Sequence, residues 1–322
     1  MKISVVIAAH GHAAQLLDSL TSVFSSYRGD MECILVLDGG IDTDLSADLN
    51  TIWGDESRLI VVAAQKLGLT KALLAGCDMA RGDYIARLDV GDVMASDRLH
   101  HQASILDCHP ECVLVTSDVE VCGPRWEHLF VKRCQLPMAK PRWVNTGPPE
   151  QGLSIDIPHH ASVMFRRSAY EAAGGYRPEF YFGQDWDLWY RLAEQGTFIH
   201  IPEVLTRVRL FTCGLSSRHW REQRAIAALS RACYAARRSG HPEAPLLVQA
   251  ARVRPRPPGW RLPSWWPFDR HQAEGAYFIA ESLRRNGDPR CRRYFAEAFR
   301  HGPWLPKVWL RATQSLHLSA HP

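Results

Sequence analysis

The segment Gly82-Asp83-Tyr84-Ile85-Ala86-Arg87-Leu88-Asp89-Val90-Gly91-Asp92 combines a strand pattern with two acidic residues. Its apolar part, Tyr84 to Leu88, predicts a buried strand, and Asp89 and Asp92 follow the carboxyl end of that strand. Ligands of open α/β sheets bind in the crevice beyond the carboxyl ends of the strands. Two carboxylates there suit a divalent cation bound with a phosphate-bearing ligand, because hard cations take oxygen ligands. The alternative is an ordinary turn in which both acids are turn formers and caps.

On both sides of this segment, apolar β-rich runs alternate with stretches of helical periodicity. The first run is Ile3 to Ala8, and residues 13–27 follow it with apolar side chains at helical spacing. Further predicted strands are Cys33 to Leu37, Leu59 to Val62, 112–117, 162–165, 197–201 and 205–211, and further predicted helices are 44–53, 70–80, 97–108 and 182–195. This alternation predicts an α/β domain with a mostly parallel sheet flanked by helices.

The remainder of the chain contains one long irregular stretch and a helical C-terminal region. Residues 122–158 are rich in Pro, Gly and Trp and show little periodicity, which favours a binding loop or lid. Residues 218–322 are predicted to hold a long basic helix, a Pro/Trp-rich segment and a helical hairpin. We therefore predict two parts, an α/β domain over 1–217 and a helical extension over 218–322.

The charge is divided unevenly along the 322 residues. Residues 1–205 contain 17 Lys and Arg and 27 Asp and Glu, whereas residues 206–322 contain 21 and 7, and all but one of those cations are Arg. A basic C-terminal region can meet an anionic membrane surface, nucleic acid or a phosphorylated acceptor, or simply be a solvated helical face. It contains no recognised nucleic-acid-binding module, so no nucleic-acid partner is expected.

The sequence disfavours several classes of protein. A nicotinamide-binding Rossmann domain needs Gly-x-Gly-x-x-Gly after the first strand, and Ala8-Ala9-His10-Gly11-His12 lacks those glycines. The nine cysteines form no Cys-x-x-Cys pair, which favours neither a zinc site nor a disulfide framework and indicates a reducing compartment. No apolar run approaches the length that spans a bilayer. The expected location is cytoplasmic.

Four stretches resemble, in order, motifs of the family 2 glycosyltransferases, which are inverting sugar-nucleotide enzymes of GT-A fold. They are Ser4 to Gly11, Leu35 to Gly40, Ala80 to Asp92, and Gly174 to Arg177 together with Gln184 to Trp189. The third is similar to the family's Asp-x-Asp region, and the fourth to its Gly-Gly-Tyr and Glu-Asp-x-Asp-Leu segments. The resemblance covers residues 3–217 and implies a GT-A (Rossmann-like) fold for that part.

The resemblance also implies roles for individual residues. Asp185 would be the general base that takes the proton from the acceptor hydroxyl as that oxygen attacks the anomeric carbon. The residues expected to contact the donor are Ala8, Ala9, His10, Asp38, Lys71 and Asp89. Asp89 and Asp92 would hold Mg²⁺ or Mn²⁺ on the diphosphate. The residues expected to contact the sugar or the acceptor are His159, His160, Gln184 and Trp186.

Three positions depart from the family pattern. Gly39 replaces the second acid of the Asp-Asp-Gly turn, which removes a contact to the base of the nucleotide. Gly91 replaces an acid that is often a direct metal ligand, so Asp89 or Asp92 must substitute and weaker metal binding is expected. Gln184 replaces the Glu before the catalytic Asp, which retains hydrogen bonding but removes a charge.

The predicted function is transfer of a sugar from a nucleoside-diphosphate sugar to a hydroxyl of a glycan or lipid-linked saccharide, in surface polysaccharide synthesis. A peripheral contact with the inner face of a membrane, through the Arg-rich C-terminal region, is part of this hypothesis. Two alternatives remain, a non-catalytic sugar-nucleotide-binding or scaffold protein of the same fold and a nucleotidyltransferase. The nucleotidyltransferase would need a glycine-rich basic loop after the first strand, which the sequence lacks.

Overall fold

The structure is a computed structural model. The parts of the chain that it describes are residues 2–10, 13–27, 29–39, 49, 51–133, 142–144, 158–212, 219–255 and 268–316. Among these residues, no helix combines the length and the apolar character that crossing a membrane requires.

Four parallel strands form one half of the sheet. They are β1 (Ile3–Ala9), β2 (Met31–Asp38), β3 (Leu59–Ala64) and β4 (Tyr84–Arg87). β1 lies between β2 and β4, and β3 pairs with the other side of β2. The register places Ala9 opposite Leu37 and Val6 opposite Arg87, so the carboxyl ends of these strands meet at one edge of the sheet. This parallel half confirms the strand prediction made from the sequence.

The other half of the sheet is antiparallel or mixed. Its strands are β5 (Val93–Met94), β6 (Cys112–Cys122), β7 (His128–Lys132), β8 (Arg142–Val144), β9 (Met164–Arg166) and β10 (Thr197–Arg209). β9 runs antiparallel between β4 and β6, and β10 pairs antiparallel with β5 and β8. The main path of the sheet has the order β3-β2-β1-β4-β9-β6-β10-β5.

Two strand predictions in this half need correction. The sequence predicted separate strands over 197–201 and 205–211, but β10 is continuous, because Pro202 removes one backbone donor without ending the extended chain. The stretch 122–158 was predicted to be irregular, and its described parts contain β7 and β8. A turn closed by a bond from the Gly123 amide to the Glu127 carbonyl at 2.8 Å precedes β7. Residues 134–141 and 145–157 of the predicted loop or lid lie outside the described residues.

Helices cover the sheet and make up most of the described C-terminal region. They are α1 (Ala13–Ser26), α2 (Leu69–Asp78), α3 (Arg98–Cys108), α4 (Arg167–Ala172), α5 (Gln184–Leu192), α6 (Trp220–Arg238), α7 (Ala244–Arg252), α8 (Arg270–Arg285), α9 (Cys291–His301) and α10 (Pro306–Ser315). Most of the predicted helix over 44–53 and of the Pro/Trp-rich segment lies outside the described residues.

Alternation along β1 divides the core into two apolar layers, one on each face of the sheet. Ile3, Val5 and Ile7 are fully buried in the layer that α1 and α3 cover. Val6 points into the opposite layer, where α2 contributes Leu73 and α5 contributes Leu188 and Trp189. A strand with apolar residues on both faces is what a sheet covered on both sides requires.

The chain divides into two compact units. The first comprises Met1–Val119, Arg133–Arg207 and Arg224–Arg254, and the second Glu120–Lys132, Val208–Gln223 and Pro255–Pro322. This division differs from the predicted boundary between 217 and 218. The reason is long-range packing, because Ile226 of α6 and Ala250 of α7 share an apolar cluster with Phe180 and Phe182. An ion pair reinforces this packing, because Arg177 Nη2 lies 2.7 Å from Glu243 Oε1.

The second unit contains the helical hairpin that the sequence predicted. α8 and α9 bury Ala276, Ala280 and Leu283 against Tyr294 and Phe295. The Tyr294 hydroxyl donates a hydrogen bond of 2.8 Å to Glu127 Oε1 in the turn before β7.

Candidate active site

The carboxyl ends of β1, β2 and β4 bring several of the predicted donor-binding residues to one edge of the sheet. Ala9, the last residue of β1, is buried, Ala8 is half-buried, and His10 just beyond is exposed. Asp38 ends β2, and Asp89 lies two residues beyond the end of β4. Because these strands are parallel neighbours, the structure gathers the sequence-predicted donor residues where ligands of α/β sheets bind.

The Asp38 carboxylate fixes the loop that leads into α2. It accepts hydrogen bonds from the backbone amides of Leu67 and Gly68, the latter at 2.8 Å. Gly68 has φ of +81°, a conformation that favours glycine. Lys71 is exposed in the first turn of α2 beside this loop. Asp38 therefore has a structural task in addition to the donor contact predicted for it.

The start of α2 is also connected to the loop before α5. The Thr70 hydroxyl donates a hydrogen bond of 2.7 Å to the Phe180 carbonyl. A Cβ atom at Gly68 would lie 3.2 Å from the Tyr181 ring, so the two loops are in close contact. The predicted donor side and the predicted base helix thus belong to one packed assembly.

Helix α1 fixes the turn that holds the two predicted metal ligands. The Ser19 hydroxyl donates to the Asp92 carbonyl at 2.8 Å and accepts from the Gly91 amide at 3.0 Å. Gly91 has φ of +91°, and the Asp92 amide donates to the Asp89 carbonyl at 3.1 Å. The Asp89 side chain is 39% exposed, whereas Asp92 is buried. Asp89 is the more accessible of the two carboxylates.

Arg87, at the end of β4, is fully buried and paired with Asp89. Its Nη2 donates to Asp89 Oδ1 at 2.9 Å, its Nη1 donates to the Val6 carbonyl, and its Nε lies 3.4 Å from His160 Nε2. No role was predicted for this residue from the sequence. The sequence feature that could have revealed its role is an arginine inside an apolar strand, because arginine is almost never fully buried unless it is paired.

A second buried arginine, Arg98 at the start of α3, supports the first. Its Nη2 donates to the Arg87 carbonyl at 2.9 Å and to the Val163 carbonyl at 3.1 Å, and its Nε donates to Gln102 at 3.0 Å. Burial, with the nearby Arg87 charge, lowers the pKa of Arg98 to about 9, so Arg98 remains charged at neutral pH. Two cations therefore lie beside the Asp89–Asp92 turn.

His160 lies beside Asp89, inside the protein. Burial, with the charge of Arg87, lowers the pKa of His160 to about 3, so the ring is neutral at pH 7. The Tyr176 hydroxyl lies 2.8 Å from Nε2 and donates to it, and Nδ1 lies 3.7 Å from Asp89 Oδ1. His159 is half-buried and its Nδ1 accepts from the Ala161 amide at 3.4 Å. Of the two histidines predicted to contact sugar or acceptor, His159 is the more exposed.

The charges around Asp89 favour its ionised form. Burial alone would raise the pKa of the Asp89 carboxyl, but His160 and the Arg87 guanidinium outweigh burial and hold that pKa below its usual value. Because the His160 ring is neutral at pH 7, the permanent positive charge of Arg87 is what favours the ionised form of Asp89 at that pH. Asp89 is accordingly a carboxylate at neutral pH.

Helix α5 presents the predicted base in its first turn. The helix starts after Gly183, whose φ is +56°, and Asp185 is half-buried in that turn. A negative charge there is stabilised by the helix dipole. Burial raises the pKa of Tyr176, whose hydroxyl bonds to His160, well above its usual value. Gln184 is buried and Trp186 half-buried beside it.

Asp187, two residues further along the chain, serves the structure of the same helix. It is fully buried and accepts from Arg191 Nη2 at 2.6 Å and Nε at 2.9 Å. Arg191 Nη1 in turn donates to the carbonyls of Ala173 at 2.5 Å and Gly175 at 2.6 Å. The pair therefore ties α5 to the Gly174-Gly175-Tyr176 turn.

The carboxylates at this edge of the sheet suit a metal ion that is also coordinated by phosphate groups of a bound nucleotide. Among the described residues, no group of three or more His, Cys, Asp or Glu side chains is arranged to hold a metal. Asp89 and Asp92 supply two carboxylates, and Mg²⁺ commonly binds one or two carboxylates together with substrate phosphates and water. These two carboxylate ligands thus suit Mg²⁺ or Mn²⁺ bound together with a diphosphate.

Comparison with known proteins matches the same part of the chain. The family model described as "Glycosyl transferase family 2" matches residues 4–174, just over half of the chain. The amylovoran biosynthesis glycosyltransferase AmsE of Erwinia amylovora is 32% identical over 181 residues, which is 55% of this chain and 64% of that relative, slightly under two thirds of its length. The putative glycosyltransferase EpsE of Bacillus subtilis is 29% identical over 216 residues, 65% of this chain and 73% of that protein.

Solved structures show the same fold at low identity. The crystal structure of S. aureus TarS 1–349 aligns with a TM-score of 0.53 and 13% identity, covering 98% of this chain and 89% of that one. The same TarS fragment has also been solved in complex with UDP. The alignment supports the predicted fold class.

Proposed function

The chain belongs to glycosyl transferase family 2, and we propose that it transfers a sugar, with inversion, from a nucleoside-diphosphate sugar to a hydroxyl group. The observation that carries the proposal is the meeting of the Asp89–Asp92 turn, the Asp38 loop and the start of α5 at one packed edge of the sheet. This arrangement would give a diphosphate-binding side and a carboxylate base within a single compact unit.

In the proposed reaction, Asp185 accepts the proton of the acceptor hydroxyl. The hydroxyl oxygen forms the new bond to the anomeric carbon on the face opposite the diphosphate, and the bond from that carbon to the diphosphate oxygen breaks. Asp89 and Asp92 would hold Mg²⁺ or Mn²⁺, which supplies positive charge for the departing diphosphate. Lys71, exposed at the start of α2, would add a cation toward the phosphates.

The donor side of the proposal rests on the ends of β1 and β2. Ala8, Ala9, His10 and Asp38 would contact the nucleoside, because the ends of these strands and the Asp38 loop lie at the same edge. The UDP complex of TarS supports a nucleoside diphosphate as the ligand class.

The acceptor side is proposed from the relatives. One is named for the biosynthesis of amylovoran, which supports a saccharide acceptor in polysaccharide synthesis. His159, Gln184 and Trp186 would contact sugar or acceptor, since Gln184 and Trp186 flank Asp185 in α5 and His159 is half-buried near Asp89.

The first test is release of nucleoside diphosphate from a panel of sugar nucleotides, with Mn²⁺, with Mg²⁺ and with a chelator. We expect one donor to be cleaved fastest when an oligosaccharide or lipid-linked acceptor is added. The rate should fall on chelation, because without a cation the two carboxylates would repel the departing diphosphate. Binding of a sugar nucleotide without turnover across the acceptors would favour the scaffold alternative. Absence of any sugar-nucleotide binding would contradict the proposal.

We further propose that the second unit attaches to an anionic membrane surface. The aromatic patch, defined as Phe299, Trp304, Trp309 and Leu310, is exposed, with Trp304 and Trp309 each more than half accessible. Phe299 and Trp309 touch at a ring-centroid distance of 4.3 Å, and Trp309 Nε1 donates to the Pro303 carbonyl, next to Trp304. Exposed Lys307 and Arg300 lie within the same two helices. Tryptophan beside cations suits the boundary of an anionic bilayer.

Vesicle sedimentation tests this attachment. Vesicles of phosphatidylglycerol and phosphatidylcholine should bind the protein, and the double variant Trp304→Ala, Trp309→Ala should bind at least about tenfold more weakly, because buried apolar area and charge both set interfacial affinity. Ile52→Ala, which removes an equally exposed apolar side chain from the first unit, is the matched control. Equal binding by the double variant and the control would contradict the proposal.

A further inference from the structure

We propose that Arg87, His160 and Tyr176 form a positioning relay that sets the orientation of the Asp89 carboxylate and ties it to the helix that carries Asp185. This inference rests on the proposed function, in which Asp89 holds the metal and Asp185 is the base. The three relay residues are positioning residues, because they act through Asp89 and contact neither substrate nor metal in this scheme.

The first step of the relay fixes one oxygen of Asp89. Arg87 Nη2 donates to Oδ1 at 2.9 Å, and His160 Nδ1 lies 3.7 Å from the same oxygen. Both contacts meet Oδ1, and no described residue hydrogen-bonds to Oδ2, the oxygen that would face a ligand. A guanidinium bonded to one carboxylate oxygen restricts rotation of the whole carboxylate group.

The second step fixes Arg87 itself. The side chain is fully buried, and its Nη1 donates to the Val6 carbonyl in the neighbouring strand. Its own carbonyl accepts from Arg98 Nη2 at 2.9 Å. Hydrogen bonds in such a water-poor interior are electrostatically stronger than bonds at the surface. Arg87 therefore holds Asp89 from a rigid strand.

The third step is the pair of His160 and Tyr176. Tyr176 is buried and its hydroxyl keeps its proton, so it donates to His160 Nε2 at 2.8 Å. Arg87 Nε, which can only donate, lies 3.4 Å from the same Nε2, so Tyr176 and Arg87 both hold the His160 ring through one nitrogen. The hydroxyl of Tyr176 thus helps to fix a ring that contacts Arg87, the residue bonded to Asp89.

The fourth step connects Tyr176 to the base helix. Arg191 of α5 donates to the Gly175 carbonyl at 2.6 Å, directly before Tyr176, and Asp187 holds Arg191. Asp185 lies in the first turn of the same helix. The Arg191 bond to Gly175 and the peptide link from Gly175 to Tyr176 therefore connect the proposed base helix to the residues that hold the proposed metal ligand.

The test removes one hydroxyl from the relay and one from a matched position. Tyr176→Phe deletes the donor to His160 and keeps the buried ring. Tyr190→Phe is the control, because Tyr190 is also buried, lies on α5 and stacks on Tyr234 at 5.1 Å outside the relay. Affinities for UDP and GDP are measured by calorimetry on the full chain, with Mn²⁺ and with a chelator, together with the thermal unfolding midpoint.

For Tyr176→Phe we expect metal-dependent diphosphate binding to weaken by about tenfold, while binding in chelator stays close to wild type. The unfolding midpoint should fall by a few degrees, because the buried His160 nitrogen loses one donor. Tyr190→Phe should leave both affinities unchanged. His160→Gln, which retains an acceptor for Tyr176, should bind better in Mn²⁺ than His160→Leu.

Each other result decides against the relay. Equal behaviour of Tyr176→Phe and Tyr190→Phe would show that the hydroxyl is only structural. Equal wild-type affinity with Mn²⁺ and with chelator would also overturn the inference, since Asp89 would then hold no metal. Failure of the wild-type chain to bind UDP, GDP or any sugar nucleotide of the panel would instead overturn the proposed function, and the relay with it.

Discussion

Asp185→Asn is expected to lower the rate of sugar transfer by about 10²–10⁴ while leaving the affinity for nucleoside diphosphate unchanged. The substitution preserves the size of the side chain but removes the group that accepts the proton of the acceptor hydroxyl. Asp185 is half-buried in the first turn of α5, where the helix dipole favours the ionised carboxylate. The loss should therefore fall on turnover and not on donor binding.

The measurement is initial-rate diphosphate release with the preferred donor, combined with calorimetric binding of the diphosphate product. Glu171→Gln is the control, because it also removes one negative charge but lies on α4 in an exposed pair with Arg167. A variant that retains the wild-type rate would show that another group is the base. A variant that loses diphosphate binding would show that Asp185 belongs to the donor side.

Asp187→Asn, two residues further along α5, is expected to lower the free energy of unfolding by about 3–5 kcal/mol, the usual cost of breaking a buried ion pair. Asp187 and Arg191 are both almost completely buried. The substitution leaves the Arg191 charge without its carboxylate while that charge still bonds to the Ala173 and Gly175 carbonyls. Burial already disfavours the charged form of Arg191 and lowers its pKa.

Chemical denaturation followed by circular dichroism measures this loss. Asp185→Asn is the matched control within the same helical turn, with an expected cost of about 0.3–1 kcal/mol from the helix dipole alone. We therefore expect Asp185→Asn to lose turnover but little stability, and Asp187→Asn to lose stability. Stability of Asp187→Asn equal to that of Asp185→Asn would contradict the assignment of Asp187 to the fold.

The sequence was sufficient to predict the parallel half of the sheet and the position of the site. Runs such as Ile3 to Ala8 and Cys33 to Leu37 encode buried strands by composition, and parallel strands must place their carboxyl ends at one edge. Asp38 and Asp89 follow such strands directly. Their proximity therefore follows from topology without knowledge of side-chain contacts.

The surroundings of Asp89 were not predictable in the same way. Arg87 is buried because the Asp89 carboxylate and the carbonyl of Val6, 81 residues away in the chain, accept hydrogen bonds from its guanidinium. His160 is neutral because Arg87 and the protein interior surround it. The division into compact units depends likewise on the contact of Ile226 with Phe180 and Phe182, which no local pattern encodes. Each of these features arises from long-range packing.

The Ser19 clamp on the Asp89–Asp92 turn has an evolutionary consequence. Ser19 bonds to the backbone of Gly91 and Asp92 and so preserves a turn in which Gly91 has φ of +91°. Side chains with a Cβ atom rarely adopt that conformation. A single substitution that placed a carboxylate at position 91 would therefore strain the backbone. A chain that evolved an acid there would first have to release the turn from α1.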